Sequence, residues 1–124
     1  MRYLSDRDLR MLIALASVGA HYRPLNLQGL DLTGADLKFA FLKDANLTDA
    51  NLSGANLENA SMFGAYLHDA NLTGANLRNA DLTYSYLRGA KFVNADLRGA
   101  KFSGAMFKDT DFTGAIIDAT TIGL

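Results

Sequence analysis

Residues 45–64 read ANLTD ANLSG ANLEN ASMFG, and the same five-residue pattern continues in register from Leu25 to Leu124, which gives twenty units. The third residue of every unit is apolar: Leu in thirteen units, Phe in four, Ile in two and Met in one. The first residue is Ala in fifteen units, and the fifth is Gly, Asp or Asn in sixteen. A period of five fits neither the 3.6-residue repeat of a helix nor the continued alternation of a long strand. The repeat therefore predicts a chain that turns at short, fixed intervals.

Each unit combines one strand alternation with a turn. The first and third residues are apolar with a mostly polar residue between them, which is the alternation of a very short strand. The fourth and fifth residues are turn formers, and Gly, Asn or Asp at the fifth position tolerates a positive φ. A type II turn with the fifth residue of the unit at its third position satisfies this pattern. Repeated strands and corners predict a coil.

The sequence resembles the pentapeptide repeat family, whose pattern is A(D/N)LXX, over residues 25–124. The resemblance implies an all-β solenoid, a right-handed quadrilateral β-helix in which four pentapeptides form one coil. Twenty units then give five coils, at residues 25–44, 45–64, 65–84, 85–104 and 105–124. The central side chains point inward and fill the interior, so no cofactor space remains. We expect Leu32, Leu52 and Leu72 to be buried and stacked in register.

The segment before the repeats, residues 1–24, is interpreted as an N-terminal α-helical cap and its connector. Ser5 is a suitable N-cap residue, and Asp8 lies at the capping-box position. The pattern predicts a helix over residues 6–18 that covers the first coil, because an uncovered solenoid end exposes its core and strand edges. The predicted domains are therefore a cap over residues 1–24 and a pentapeptide-repeat β-helix over residues 25–124.

The same segment has a competing interpretation as a secretory signal. Residues 11–18 form a short apolar run after a charged start, and residues 18–20 resemble a small-residue cleavage site. Asp6 and Asp8 argue against a signal because they dilute the positive start. We expect a cytoplasmic protein, with the periplasm or thylakoid lumen as the alternative if residues 1–20 are a cleaved signal. The family resemblance implies a mainly bacterial distribution with many members in cyanobacteria.

The composition argues against catalysis. The net charge of −1 gives no field for attracting nucleic acid or an anionic membrane, and the absence of cysteine removes thiolate metal sites and cysteine nucleophiles. His21 and His68 have no second histidine at metal-ligand spacing. We therefore predict a protein that is not an enzyme, with no catalytic or metal-binding residues, no cofactor and no small-molecule substrate.

A twenty-residue coil places Tyr66, Tyr86 and Met106 at the same position on successive coils, with Tyr84 at the corner that leads into Tyr86. Large outward aromatic residues are enriched at interfaces, so these four residues form the candidate protein-binding face for an unidentified partner. The alternative is that they stack on one another for stability alone.

Phe39, Phe41 and Phe63 form another outward group on the first two coils. Three interpretations stay open for these rings. They stack for stability, they lie under the N-terminal segment, or they belong to a protein-binding patch.

The last coil carries a set of large apolar residues. The candidate self-association end consists of Phe107, Phe112, Ile117, Ile122 and Leu124. An unpaired apolar coil edge favours pairing, so a homodimer through the C-terminal coil is expected. The alternatives are a shortened chain and tolerance of an exposed end.

Two functions are consistent with these observations. The first is a non-enzymatic scaffold or protein-binding module that acts through a side face of the rod. The second is implied by the resemblance alone: a DNA-mimicking binder and inhibitor of a type II topoisomerase (gyrase) that confers quinolone protection. That role implies a strongly acidic rod, whereas the repeats sum to −3 and residues 85–104 to +3.

Overall fold

The structure is a computed structural model that describes residues 4–16 and 23–124. One helix, α1 (Asp6–Ala16), precedes the repeats. The Ser5 hydroxyl accepts a hydrogen bond from the Asp8 N–H at 3.1 Å and donates to the Asp8 carboxylate at 2.8 Å, which confirms the predicted N-cap. The helix is described as far as Ala16, and the further helical positions predicted at 17 and 18 lie outside the described residues, as do His21 and residues 18–20.

The β structure of the described residues consists of isolated parallel bridges, so each strand is one bridging residue. The bridges form four ladders, and each ladder links five residues from successive passes of the chain. The first ladder contains Asn26, Asn46, Tyr66, Tyr86 and Met106; the second contains Asp31, Asn51, Asn71, Lys91 and Asp111; the third contains Asp36, Asn56, Asn76, Asp96 and Ile116; the fourth contains Phe41, Ser61, Asp81, Lys101 and Ile122. The chain therefore winds as a coil with four faces.

The interior is filled as the repeat predicts. Leu32, Leu52 and Leu72 are at most 1% exposed, which confirms their inward position. Ser85 replaces Ala in the inward set, and its buried hydroxyl donates to the Leu82 carbonyl at 2.7 Å. That bond satisfies a polar group which would otherwise destabilise the core.

The corners have the predicted geometry. The Ala35 N–H donates to the Leu32 carbonyl at 3.0 Å, and Gly34 between them has a φ of +65°. These are the features of a type II turn. Nine non-glycine corner residues also adopt a positive φ; seven are Asp or Asn, and the other two are Phe39 and Tyr84.

Asn or Asp at the second position of a unit caps the turn that follows. The Asn71 Oδ1 accepts a hydrogen bond from the Thr73 N–H at 3.0 Å, and this unit is one of eleven that make such a bond. The capped N–H belongs to the fourth residue of the unit, which donates to no backbone carbonyl of a neighbouring coil in the described structure. The preference for Asn or Asp therefore has a direct structural cause.

The last coil departs from the predicted register. Paired residues are twenty positions apart along every ladder until Lys101, which pairs with Ile122. The final turn spans residues 118–121, where the Thr121 N–H donates to the Asp118 carbonyl at 3.1 Å and no residue has a positive φ. An in-register corner would place Ala119 in the left-handed region, which costs roughly 1–2 kcal/mol. One extra residue in this coil avoids that cost.

The structure overturns the inward position expected for Ile117 and Ile122. Ile117 and Ile122 were expected to point inward as the centres of the last two units. They are 57% and 51% exposed. Ile122 takes the bridging position opposite Lys101, which is an outward position, and Ile117 directly precedes the shifted turn.

Helix α1 lies against the first pass of the coil. Leu9 and Ile13 are buried and belong to the same hydrophobic cluster as the inward leucines. The Asp36 N–H donates to Asp6 Oδ1 at 3.0 Å, and the Asp36 carboxylate lies 3.0 Å from the Arg10 guanidinium. No helix within the described ranges combines the length and hydropathy of a membrane span.

Candidate functional site

The structure places Tyr66, Tyr86 and Met106 on one face, which we call the tyrosine ladder. The Tyr66 and Tyr86 rings are stacked, with centroids 4.6 Å apart and planes inclined by 2°. This stacking follows from the parallel bridge between the two residues, which aligns side chains at the spacing of adjacent strands. Tyr66 is 40% exposed and Met106 52%, so the ladder presents apolar area to solvent.

Tyr84 lies at the corner beside the ladder, with a φ of 56°. Its ring meets Phe63 edge to face at 5.5 Å and lies across Gly104, where an added Cβ would be 2.4 Å from a ring carbon. Tyr84 is nevertheless 58% exposed. The four residues of the candidate protein-binding face are therefore neighbours on one side of the rod.

Two further residues, Phe63 and His68, adjoin this face, and the repeat pattern does not assign either of them to it. Phe63 packs against Tyr84, although the sequence grouped it with Phe39 and Phe41. The His68 ring is centred 6.0 Å from that of Tyr86. Residues 63 and 84 are separated by about one coil, and this spacing is the sequence signal that could have placed Phe63 beside Tyr84.

The tyrosine ladder lacks the turn caps that most positions of the second and third ladders carry. Tyr66, Tyr86 and Met106 stand where eleven units carry a capping Asn or Asp. Within the described structure, no side-chain oxygen accepts a hydrogen bond from the N–H groups of the turns that follow them. Three successive passes of this face thus exchange a stabilising bond for exposed apolar area.

A groove continues from the ladder toward the N-terminal end of the coil. It has a volume of about 360 Å³ and is lined by Pro24, Leu25, Asn26, Asp44, Asn46, Thr48 and Tyr66. Asp44 supplies the charged group of this lining, and Tyr66 joins the groove to the ladder. The face therefore combines an exposed apolar strip with a recess of mixed polar and apolar lining at one end.

The candidate self-association end is only partly assembled. Phe107 and Phe112 close the core, where the Phe112 ring stacks on that of Phe92 at 5.3 Å. In the described structure, the N–H groups of Phe107 and Phe112 donate to no backbone carbonyl. Leu124 is 51% exposed and, with the displaced Ile117 and Ile122, lies outside the core.

The perturbed carboxylates near this end are satisfied by local partners. Asp96 accepts hydrogen bonds from Arg98 Nε at 2.9 Å and Nη2 at 2.6 Å, which lowers the pKa of Asp96 and raises that of Arg98. Side-chain hydrogen bonds from Thr113 and Thr120 lower the pKa values of Asp111 and Asp118. Among residues 4–16 and 23–124, no cluster of three His, Cys, Asp or Glu side chains could hold a metal ion.

Comparison with known proteins agrees with this architecture. The sequence profile for pentapeptide repeats matches in eight copies, over residues 26–62, 60–99 and 80–117. No curated protein sequence matches the chain.

Several solved structures are similar. A pentapeptide repeat protein from the thylakoid lumen of Arabidopsis thaliana is 35% identical, with a TM-score of 0.73 over 82% of this chain and 73% of that one. A pentapeptide repeat protein from Nostoc PCC 7120 is 37% identical, with a TM-score of 0.64 over 77% of this chain and 78% of that one. QnrB1, a plasmid-mediated fluoroquinolone resistance protein, is 18% identical, with a TM-score of 0.34 over 76% of this chain and 80% of that one, too distant to bear on function here.

The repeat profile covers most of the coil, and the Arabidopsis and Nostoc proteins share more than a third of the aligned residues with it. The four ladders and left-handed corners supply the corresponding geometry. The chain therefore belongs to the pentapeptide repeat family, whose members form right-handed quadrilateral β-helices.

Proposed function

We propose that the protein is a non-enzymatic binding module, and that Tyr66, Tyr84, Tyr86 and Met106 form its docking face for a partner protein. One observation carries the proposal: three successive passes of one face carry Tyr, Tyr and Met where most units carry a turn-capping Asn or Asp. Aromatic residues and Met are enriched at protein interfaces. Departures from a fold's own local rules are expected at functional positions.

The filled interior supports a binding function over a catalytic one. The inward positions hold Leu, Phe, Met and Ala side chains, so the coil axis offers no cleft in which titratable groups converge. The proposal accordingly includes no cofactor, small-molecule substrate, nucleic acid or membrane. The partner meets the outside of the rod.

Restoring the cap residues tests the docking face. The double variant Tyr66→Asn, Tyr86→Asn gives the first ladder the Asn residues that the second and third ladders carry, so the melting temperature should be kept or raised. Partner capture from the source organism, read out by photo-crosslinking from position 106, should be lost. The matched control Asn56→Ala, Asn76→Ala removes two caps from another face and should lower the melting temperature while capture persists. Capture by the tyrosine variant at the wild-type level would refute the proposed face.

A supercoiling assay with purified gyrase tests the topoisomerase alternative. We expect neither inhibition nor protection from quinolones, because a rod whose repeats sum to only −3 is a poor electrostatic mimic of DNA. Inhibition at stoichiometric concentration would favour the DNA-mimicking function over the docking proposal.

We also propose that α1 caps a five-coil β-helix, with the domain boundary between residues 24 and 25. The burial of Leu9 and the hydrogen bond from the Asp36 N–H to Asp6 support this role. Leu9→Ala should lower the free energy of unfolding by about 2–5 kcal/mol in a urea titration. The control Leu12→Ala, on the exposed side of α1, should cost less than about 1 kcal/mol.

A second copy of the chain is the proposed partner of the C-terminal end, through Phe107, Phe112 and the exposed apolar residues that follow. Sedimentation at increasing protein concentration should show a dimer that Phe112→Lys removes. A monomer at all concentrations would exclude self-association.

We propose the cytoplasm as the compartment, which N-terminal sequencing of the natural protein tests by showing whether residues 1–20 are retained.

A further inference from the structure

Two aromatic residues hold left-handed corners, Phe39 with a φ of 61° and Tyr84 with a φ of 56°. Gly, Asn and Asp suit such corners, and a bulky residue there is strained by roughly 1 kcal/mol or more. Tyr84 offsets this strain by packing on Phe63 and across Gly104. The two residues therefore differ in what their rings contact.

Phe39 has no comparable packing. Its side chain is 68% exposed, no aromatic ring of the described residues packs against it, and the equivalent corner of the next coil carries Asn59. The ring contact that the structure gives Phe39 is with the Lys38 ammonium, 5.4 Å from the ring centroid. Packing within the rod therefore does not account for an aromatic residue at this corner.

A groove lies beside Phe39, between α1 and the first pass of the coil. It has a volume of about 260 Å³, and its lining is formed by Arg10, Ile13, Ala14, Lys38, Phe39, Ala40 and Phe41. Ile13 and Ala40 supply a buried apolar floor. The charged lining groups, Arg10 and Lys38, are both basic.

Arg10 and Lys38 differ in whether a carboxylate of the rod already pairs with them. Arg10 is paired with Asp36 at 3.0 Å. Lys38 makes no ion pair in the described structure, so its ammonium group is available to an anion beside the Phe39 ring. Phe39 and Lys38 are consecutive, which places an apolar contact and a positive charge at one rim of the groove.

We propose that this groove binds an acidic, apolar segment of a partner protein, with an apolar side chain against Phe39 and Ile13 and a carboxylate at Lys38. The basic lining selects an anionic occupant, and the apolar floor selects one that carries a hydrophobic group. Asp6, Asp8 and Asp36 lie on or beside α1 and would repel an extended anionic surface, which favours a peptide over a membrane. The Phe39 corner does not border the tyrosine ladder, so this site is independent of the proposed docking face.

The first test is an NMR titration of the ¹⁵N-labelled full chain with 3-phenylpropionate, a small probe with an aromatic ring and a carboxylate. Perturbed amide signals should cluster at Arg10, Ile13 and residues 38–41, with a dissociation constant in the millimolar range expected for so small a ligand. The matched neutral probe, 3-phenylpropionamide, should bind at least about threefold more weakly because it lacks the charge that Lys38 attracts. Equal affinity for the two probes, or perturbations away from the groove, would overturn the proposal.

Variants then separate binding from folding. Phe39→Asn should weaken 3-phenylpropionate binding at least about tenfold while keeping or raising the melting temperature, because Asn tolerates the left-handed φ. Lys38→Gln should reduce binding of the carboxylate to that of the amide. The control Tyr84→Asn should lower the melting temperature and leave probe binding unchanged. Undiminished binding of 3-phenylpropionate by Phe39→Asn would refute the peptide site. Binding of anionic lipid vesicles by wild type but not by Phe39→Asn would also refute it, because the groove would then bind a membrane.

Discussion

Residues 25–114 and residues 115–124 follow the same five-residue pattern but fold differently. In the first region every corner residue has a positive φ, including Phe39 and Tyr84, which are poorly suited to it. In the second region Ala119 does not adopt that conformation, and the pairing shifts by one residue at Ile122. The Phe39 and Tyr84 N–H groups donate to the Glu58 and Ser103 carbonyls of the coil that follows, whereas Ala119 makes no backbone hydrogen bond in the described structure. An unsuited corner residue therefore keeps the register where a following coil pairs with it, whereas suited residues such as Asp109 and Gly114 keep it in the last coil.

The largest expected difference between the regions is in the core. Leu72 is completely buried, so Leu72→Ala should lower the free energy of unfolding by about 2–5 kcal/mol in a urea titration. Ile117 occupies the same position of its unit but is 57% exposed, and Ile117→Ala should cost less than about 1 kcal/mol. Similar losses for the two variants would mean that Ile117 is packed inward in solution.

The corners provide the second comparison, between Gly104 and Gly74, which have φ values of +69° and +68°. A Cβ on Gly74 would meet nothing within 4 Å, so Gly74→Ala should cost only the left-handed penalty of about 1 kcal/mol. A Cβ on Gly104 would displace the Tyr84 ring, and Gly104→Ala should cost about 2–4 kcal/mol when that displacement is added. Chemical denaturation measures both effects. Equal costs would show that the Tyr84 ring moves aside freely.

The third comparison converts the last region into the first. Ala119→Gly removes the penalty for a left-handed corner, so the twenty-residue register should return, with Lys101 opposite residue 121 and Ile117 turned inward. The gain in stability should be about 1 kcal/mol or less, since only one turn changes. Backbone NOEs between the last two coils report the pairing. Persistent pairing of Lys101 with Ile122 would indicate that another contact sets the slip, such as the hydrogen bond from the Thr121 hydroxyl to the Leu97 carbonyl at 2.8 Å.

Most of the fold could be predicted because each unit carries the same information. In each unit the central Leu and the small inward Ala indicate the interior, and the corner Gly, Asn or Asp independently indicates the turn. Coils in register repeat these signals. The register shift at Ala119 could not be predicted from the repeat. The unit has the usual apolar central residue, Ile117, although its corner residue is unsuited to a positive φ. The third residue of a unit indicated the core correctly wherever the fifth residue could adopt the left-handed corner conformation.

The candidate site was less predictable. The alignment of Tyr66, Tyr86 and Met106 follows from counting twenty residues, and the bridges show that alignment. The packing of Tyr84 on Phe63 depends on side-chain directions at a left-handed corner, which the repeat does not specify. The groove beside Phe39 requires the position of α1, about which the pentapeptide pattern contains no information.

The smallest expected effect is the loss of stability in acid. The comparison is between Asp96, in the regular part of the coil, and Asp118, in the shifted turn. Hydrogen bonds from Arg98 and Thr120, respectively, lower the pKa of each carboxyl below the ordinary value of 3.8. A lowered folded-state pKa contributes stability that is present above the unfolded-state pKa and is lost as the pH falls through the folded-state pKa. Melting temperatures should therefore be steady near neutral pH and fall below about pH 4.

Asp96→Asn and Asp118→Asn isolate these contributions, because Asn retains an oxygen that can cap the following turn. Each variant should melt slightly below wild type at pH 7, by little in both cases because exposed ion pairs and hydrogen bonds contribute weakly. The differences should vanish in strong acid, where wild type also carries protonated carboxyls. Because the Asp118 turn is paired on one side only, its acid response should appear as local loss of the Lys101–Ile122 pairing before the coil unfolds, measured by hydrogen exchange of the Ile122 amide. A difference from wild type that persists unchanged in strong acid would show that the substitutions act through packing and not through charge.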